Sequence, residues 1–351
     1  MLLYIHIPFC DSKCHYCSFN SYVDKFEQKQ NYMSALIKQL KFELKHFNVK
    51  KGDIKTLFIG GGTPSTVEPE LYAPLIKILN PYLLNCIELT SEANPNSATK
   101  EWLQGMYDLG INRISFGVQS FNDVKLKLLG RSHKAEDAIK AIKTADKIGF
   151  KNISLDLIYA TKGDTKELLK NDLEQAFSLP INHLSAYALT IEEKTVFTAQ
   201  PQMANESLEL TKWFLKNIEE YGFSQYEISN FGKYHSEHNL GYWNTEDYIG
   251  LGAGAVGFLK NERFYPSTDI EQYIKNPTNI KIEKLTEKEL LSEHIFLGLR
   301  CNLGVDYLSL NNEQKIKANI LVKEEKIYLK NNRLYNLDYL LSDELALFIE
   351  A

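Results

Sequence analysis

Over its first two-thirds the chain alternates two textures. Short runs rich in Ile, Leu, Phe and Tyr give way to longer stretches in which apolar residues return every three or four positions. The short runs predict strands over residues 2–7, 55–59, 86–90, 113–118, 153–158 and 183–189. The longer ones predict helices. The clearest is "KAEDAIKAIKTADKIGF", where Ala138, Ile139, Ile142, Ala145 and Ile148 share one face and Gly149 offers a stop. Six units of this kind predict an α/β fold, a partial (β/α)6 parallel barrel.

In parallel barrels, chemistry gathers at the C-terminal ends of the strands. Each of five predicted strands meets an unusual segment there: "FCDSKCHYCSF" after Ile7, "GGGTPS" after Ile59, "SEANP" after Thr90, "GVQS" after Phe116, and Asp156 within "SLDLIY". From about Tyr226 the pattern loses its period. "YEISNFGKYHSEHNLGYWNTEDYIGLGAGAVGF" is rich in Gly, His and aromatics, and a charged helical tail follows. The expected organisation is therefore a barrel region over 1–225 and a smaller α+β region over 226–351.

Composition removes several classes of function. The 351 residues carry a net charge of -5, and Lys is scattered among Glu along the helices instead of forming a stripe, which argues against a nucleic-acid partner. No apolar run is long enough to span a bilayer, and "MLLYIHIPFC" lacks the basic start of a secretory signal. The expectation is a cytoplasmic protein with reduced thiols, large enough to fold without disulfides. A peripheral contact at the inner face of the membrane and a homodimer are compatible with it.

Three of the five cysteines, Cys10, Cys14 and Cys17, fall within eight positions. This spacing suits three ligands of a [4Fe–4S] cluster, leaving the fourth iron open for chemistry. Zinc is the structural alternative; it needs a fourth ligand, for which His15 is the local candidate. Disulfide exchange is a third reading of the C-x-x-C pair. Cys86 and Cys301 lie in apolar surroundings and read as inert core thiols.

The cysteine spacing followed by "GGGTP" resembles the radical S-adenosylmethionine (SAM) superfamily, and the resemblance covers nearly the whole chain. It implies a [4Fe–4S] cluster on Cys10, Cys14 and Cys17 whose open iron binds the amino and carboxylate groups of SAM. Within the superfamily, "YIHIPFC", "GGGTPS", "FGVQSF", "DLIY", "HLSAYALTIEEKT" and "YEISNF" are similar to the coproporphyrinogen III dehydrogenase branch and its HemW-type haem-chaperone relatives. By motif position the resemblance implies that Gly61, Gly62 and Thr63 approach the SAM amino group. It likewise implies that Glu92, Gln119, Arg131 and Asp156 contact its ribose, carboxylate or neighbouring polar groups, and that Tyr4 and Tyr16 line the site. Read without the family, Glu92 and Asp156 are equally good as satisfied polar groups at strand ends, and Arg131 as a surface residue after a turn.

Two departures divide the branch. The dehydrogenase pattern has a further cysteine two residues past the third ligand, where this chain has Phe19, and it carries an extension ahead of the first strand. "HNLGYW", residues 238–243, fits the H-N-x-x-Y-W motif associated with haem binding in the chaperones, which implies His238 as a haem ligand beside Tyr242 and Trp243. Val256 stands where relatives commonly have His. The expected function is a haem chaperone passing haem to respiratory membrane enzymes; the alternative is oxygen-independent coproporphyrinogen III dehydrogenase. Two motifs point elsewhere and are set aside: Gly252, Gly254 and Gly257 match G-x-G-x-x-G without a βαβ unit and read as close packing, and His235 and His238 have metal spacing without further ligands.

Overall fold

The fold follows from alternation along its strands. In a computed structural model, which describes every residue except Glu206 and leaves aside the side chains of Leu84, Cys86 and Ile87, six parallel strands run in sequence order: β1 Leu2–Ile7, β2 Ile54–Gly61, β3 Leu83–Ala93, β4 Arg113–Gln119, β5 Asn152–Tyr159 and β6 His183–Ala188. Every expected strand is present, most of them longer at one or both ends. The expected role of Cys86 lies outside the described residues.

Successive side chains of a strand point to opposite faces. One face presents Leu3, Ile5, Leu57, Ile59, Ile114, Phe116, Ile153 and Leu155, all buried in a single core with the covering helices. The helix over Ala135–Ile148 is one of these, and Gly149 ends it in the left-handed conformation at φ 116°. The opposite, inward face is polar: Tyr4, His6, Thr56, Glu88, Thr90, Glu92, Arg113, Ser115, Ser154, Asp156, His183 and Ser185. An inward face of this kind needs partners, and the later part of the chain supplies them.

The strands beyond β6 extend the same sheet to twelve. β9 (Tyr248–Leu251) lies parallel on β1 and continues through β10 (Gly257–Leu259), β11 (Glu262–Pro266) and β12 (Ile280–Lys284), while β8 (Asn230–Gly232) adds antiparallel to β6 and β7 (Ser224–Gln225) antiparallel to β8. The sheet is open and mixed, and it runs across residue 226. A separate small core forms from Ile295, Leu299, Val305, Ala318, Leu321, Leu334, Leu345 and Ile349, around the three strands β13 (Val305–Asp306), β14 (Ile327–Lys330) and β15 (Arg333–Asn336). It is joined to the large sheet by Ile228 N–H donating to the Arg300 carbonyl at 2.8 Å and Asn302 N–H donating to the Tyr226 carbonyl at 2.8 Å.

The glycine-rich stretch is a packing device. β9 and β10 pair antiparallel there with no helix between them, and a Cβ on Gly252 would lie 2.6 Å from the Tyr32 hydroxyl and 2.7 Å from the His6 carbonyl oxygen.

Candidate functional site

The cysteine loop leaves β1 and is closed at its base, where Cys10 N–H donates to the Tyr22 carbonyl at 3.0 Å and Tyr22 N–H to the Pro8 carbonyl at 2.7 Å. Lys13 ties its middle by donating to the Phe19 carbonyl at 2.6 Å and to Ser21 Oγ at 2.7 Å. Cys10, Cys14 and Cys17 are free thiols that line one cavity of about 390 Å3 over the C-terminal ends of the strands. His15 is not among its walls. Its Nδ1 bonds the Leu128 carbonyl oxygen at 2.9 Å and its ring meets Phe197 edge-on at 5.7 Å, so it is engaged away from the thiols.

Two side chains aim donors at the sulfurs: Thr63 Oγ1 at Cys10 Sγ over 3.4 Å, and Arg131 Nη1 at Cys14 Sγ over 3.3 Å. Burial pushes the Cys10 and Cys17 thiols up, a cost that bound iron removes by taking the thiolate as ligand. Donors directed at sulfur and three thiols lining one cavity, with His15 engaged elsewhere, fit a [4Fe–4S] cluster with one open iron. Among the described residues, no set of three His, Cys, Asp or Glu side chains is arranged around a single metal ion.

The same cavity is walled by Tyr16, Gly61, Gly62, Thr63, Glu92, Gln119, Arg131 and Asp156, so eight of the nine residues expected at the SAM site meet there. Glycine is required on its floor. A Cβ on Gly62 would sit 2.9 Å from the carbonyl oxygens of Ile7 and Phe9 and 3.0 Å from Cys10 Sγ; Gly61, at φ +111°, would drive one into the His6 ring at 2.4 Å. Gln119 holds φ 69° at the register shift that ends β4. Burial, with the Asp156 charge adding to it, pushes Glu92 up to about 7, while its Oε2 accepts the Gly61 N–H at 3.1 Å. Asp156 is raised by burial to about 6, with Ser185, Arg113 and Arg131 pulling it back. Two carboxyls and a guanidinium on one wall suit a ligand that carries hydroxyls, an ammonium and a carboxylate.

Tyr4 is the exception. It lines an adjoining cavity of about 820 Å3 that shares Phe19, Gly61, Glu92 and Tyr187 with the first. His6 Nε2 lies 2.8 Å from the Asn20 carbonyl oxygen and must donate to it, which leaves Nδ1 to accept the Tyr4 hydroxyl at 3.0 Å. Aromatic walls dominate: Tyr242, Trp243, Tyr248 and Phe258. Val256 is also in this wall, and Arg263, paired with Glu293, is its cation.

The H-N-x-x-Y-W segment is a short helix, Glu237–Trp243, capped by Ser236 and plugged into the polar inward face of the sheet. Glu88 receives its first turn, accepting from Glu237 N–H at 2.9 Å and His238 N–H at 3.2 Å, and also from the Tyr234 and Ser236 hydroxyls at 2.5 and 3.3 Å. His238 is fully buried behind the cavity, not in its wall. Its Nδ1 pairs with Thr56 Oγ1 at 2.8 Å, and its ring stacks on Phe58 and meets the edge of Tyr242. Burial, helped by Arg113, lowers it to about 3, and Nε2 has no partner. His235 stacks on Tyr226 instead, so the two imidazoles do not converge. Cys301 is buried and raised to about 11 by burial, the behaviour of an unreactive core thiol.

Two residues that the motifs did not mark are central here. Asn94, two positions past Glu92, holds both Thr63 and Arg131, and Glu88 anchors the Glu237–Trp243 helix. The signal for Glu88 was the period-two pattern of β3, which puts residues 88, 90 and 92 on one face, whereas Asn94 lies just past the end of that strand.

Parallel β/α units, a three-cysteine loop after β1 and a glycine floor after β2 define a radical SAM protein, and residues 4–176 match the model of the radical SAM superfamily. The chain is 38% identical to a heme chaperone HemW from Bacillus subtilis over 86% of its own length and 84% of that protein's. It is 34% identical to one from Lactococcus lactis over 95% and 90%. It belongs to the HemW family. In fold it superposes on the solved coproporphyrinogen III oxidase HemN of Escherichia coli with a TM-score of 0.83, over 100% of this chain and 90% of that one, at 21% identity. Among the described residues no helix is long and apolar enough to cross a membrane.

Proposed function

We propose that this protein is a haem chaperone. It takes up haem as cargo in the larger cavity, holds a [4Fe–4S] cluster on Cys10, Cys14 and Cys17 with SAM beside it, and passes haem in the cytoplasm to respiratory membrane enzymes. The observation that carries the reading is the cavity of about 820 Å3 walled by Tyr242 and Trp243 of the H-N-x-x-Y-W segment, a size and character suited to a large flat apolar ligand. Arg263 is the cation available to a propionate. The unpartnered Nε2 of His238 is the imidazole nitrogen free to take iron, and because His238 is fully buried, iron reaches it only when the packing around the ring opens. The cluster, when bound, supplies a low-potential electron to the SAM sulfonium; Glu92, Asp156 and Arg131 orient the ribose and amino-acid ends, and Gly61 and Gly62 admit the backbone contacts.

Haem titration of anaerobically reconstituted protein, followed at the Soret band, tests this. Trp243→Ala removes a wall and weakens binding about tenfold. His238→Ala alters the Soret band, and His235→Ala leaves it as in the wild type. Sustained conversion of coproporphyrinogen III with an electron donor, by protein that takes up no haem, would establish the dehydrogenase instead.

A further inference from the structure

We propose that Asn94 is a positioning residue that aims hydrogen-bond donors at two of the three cluster thiolates at once, and that it thereby sets the reduction potential of the cluster. The inference rests on reading the cysteine cavity as a [4Fe–4S] site. Its basis is one uninterrupted chain of contacts. Arg131 Nη1 reaches Cys14 Sγ at 3.3 Å while Nη2 reaches Asn94 Oδ1 at 2.7 Å and the Gly117 carbonyl oxygen at 2.6 Å. Asn94 Nδ2 reaches Thr63 Oγ1 at 3.2 Å, and Thr63 Oγ1 reaches Cys10 Sγ at 3.4 Å.

The direction of every bond in this chain is forced. A guanidinium only donates, so the Asn94 atom beside Arg131 must be its oxygen, and the atom facing Thr63 must be the amide nitrogen. The Thr63 oxygen therefore accepts from Asn94, which leaves its own proton for Cys10 Sγ. One amide thus turns a hydroxyl toward one sulfur and fixes a guanidinium against another. The backbone that carries this side chain is itself fixed, because the Asn94 backbone N–H donates to Ser65 Oγ at 3.0 Å and Ser65 Oγ pairs with Ser97 Oγ at 2.7 Å. Donors at the sulfurs draw charge off the cluster and favour its reduced, more negative state, so they raise the potential.

The decisive variant is Asn94→Asp. A carboxylate at this position still accepts from Arg131, but its second oxygen also accepts, so the Thr63 proton turns from Cys10 to the introduced carboxylate and the polarity of that arm reverses. The added charge lowers the potential too, and the Thr63→Val background, which has no hydroxyl to turn, isolates that part. The measurement is the cluster midpoint potential by EPR-monitored redox titration of reconstituted wild type, Asn94→Asp, Thr63→Val and the double variant, with Thr63→Ser as the conservative rescue and iron content determined for each. Expected are downward shifts in both single variants, a double variant that falls short of their sum, and a wild-type potential for Thr63→Ser. Shifts that add, or an unmoved Thr63→Val, overturn the role of Asn94 while four irons in the wild type leave the cluster reading standing. A wild type that takes up no iron overturns both.

Discussion

Removing the Glu88 carboxylate should release the helix that carries His238, Tyr242 and Trp243. The carboxylate accepts from two backbone N–H groups of the first helical turn and from the hydroxyls of Tyr234, Ser236 and Thr90. It is 5% exposed, so water does not replace it when it is lost. The three hydroxyls can rotate to other acceptors, but the two N–H groups are fixed by the helix and become orphans beneath the plug. At about 1.5–3 kcal/mol for each bond to a charged group, these two alone place Glu88→Ala at roughly 3–6 kcal/mol of destabilisation. Glu88→Gln is isosteric and keeps one carbonyl oxygen while turning the other position into a donor, so its cost is about 1–2 kcal/mol. Urea unfolding gives the totals, and hydrogen exchange over residues 237–243 shows whether the loss is local. Haem affinity should fall in the same order, because Tyr242 and Trp243 depend on the helix for their place in the cavity wall. A Glu88→Ala protein that loses less than about 1 kcal/mol, or one indistinguishable from Glu88→Gln, would refute the argument that this carboxylate holds the plug.

Two further outcomes are expected. Cys17→Ala leaves two thiols in the cavity, and reconstituted protein should lose its four irons and the broad thiolate-to-iron absorption; full iron loading without Cys17 would remove it from the ligand set. The ligand-free protein should also become less stable as pH rises. Glu92 and Asp156 are raised to about 7 and about 6 by burial, so folding favours their protonated forms. The penalty for ionising them is absent below the ordinary carboxylate range, grows between about pH 4 and 7, and is complete above that. Asn and Gln at these positions, in Asp156→Asn and Glu92→Gln, should stabilise the ligand-free protein more at pH 8 than at pH 5 by urea midpoint, and an equal effect at both would count against the burial argument.

The parts of this molecule that follow local rules were legible in the sequence. Strands β1 to β6 announce themselves because one face is continuously apolar, and the Ala135–Ile148 helix has both a face and a glycine stop. The residues that meet at the cysteine cavity were legible because parallel strands bring their C-terminal ends to one rim. The continuation of the sheet past residue 226 was not. β7 to β10 are two to four residues long, too short to show a period, and they are held by neighbours far off in sequence: β9 by β1, β8 by β6. The position of His238 was hidden for a related reason. A motif gives residue types, but whether an imidazole faces a cavity or the barrel interior is decided by what Thr56, Phe58 and Glu88 offer from strands some 150 to 180 positions earlier. Asn94 shows a third limit, since its importance lies in bond direction along a chain of contacts that only assembled side chains reveal.

The Glu237–Trp243 helix resolves an apparent conflict in the motif it carries. The inward face of the sheet is polar below the cysteine cavity, and without the later segment Glu88, Thr56 and Arg113 would stand over an opening. The Glu237–Trp243 helix closes that opening from the chain's own later segment, with His238 Nδ1 on Thr56 and its first-turn N–H groups on Glu88. On a helix, residues four apart share a face, and the His238 and Tyr242 rings are accordingly in edge contact at 4.7 Å. Tyr242 then passes from the plug into the cavity wall, where Asn239 and Trp243 join it. The motif is therefore divided across one helix into a half that fills the barrel and a half that faces the larger cavity, with Tyr242 belonging to both. Tyr242 packs on the His238 ring and is also part of that cavity wall, so a displacement of Tyr242 changes the surroundings of the imidazole and the shape of the pocket in one step.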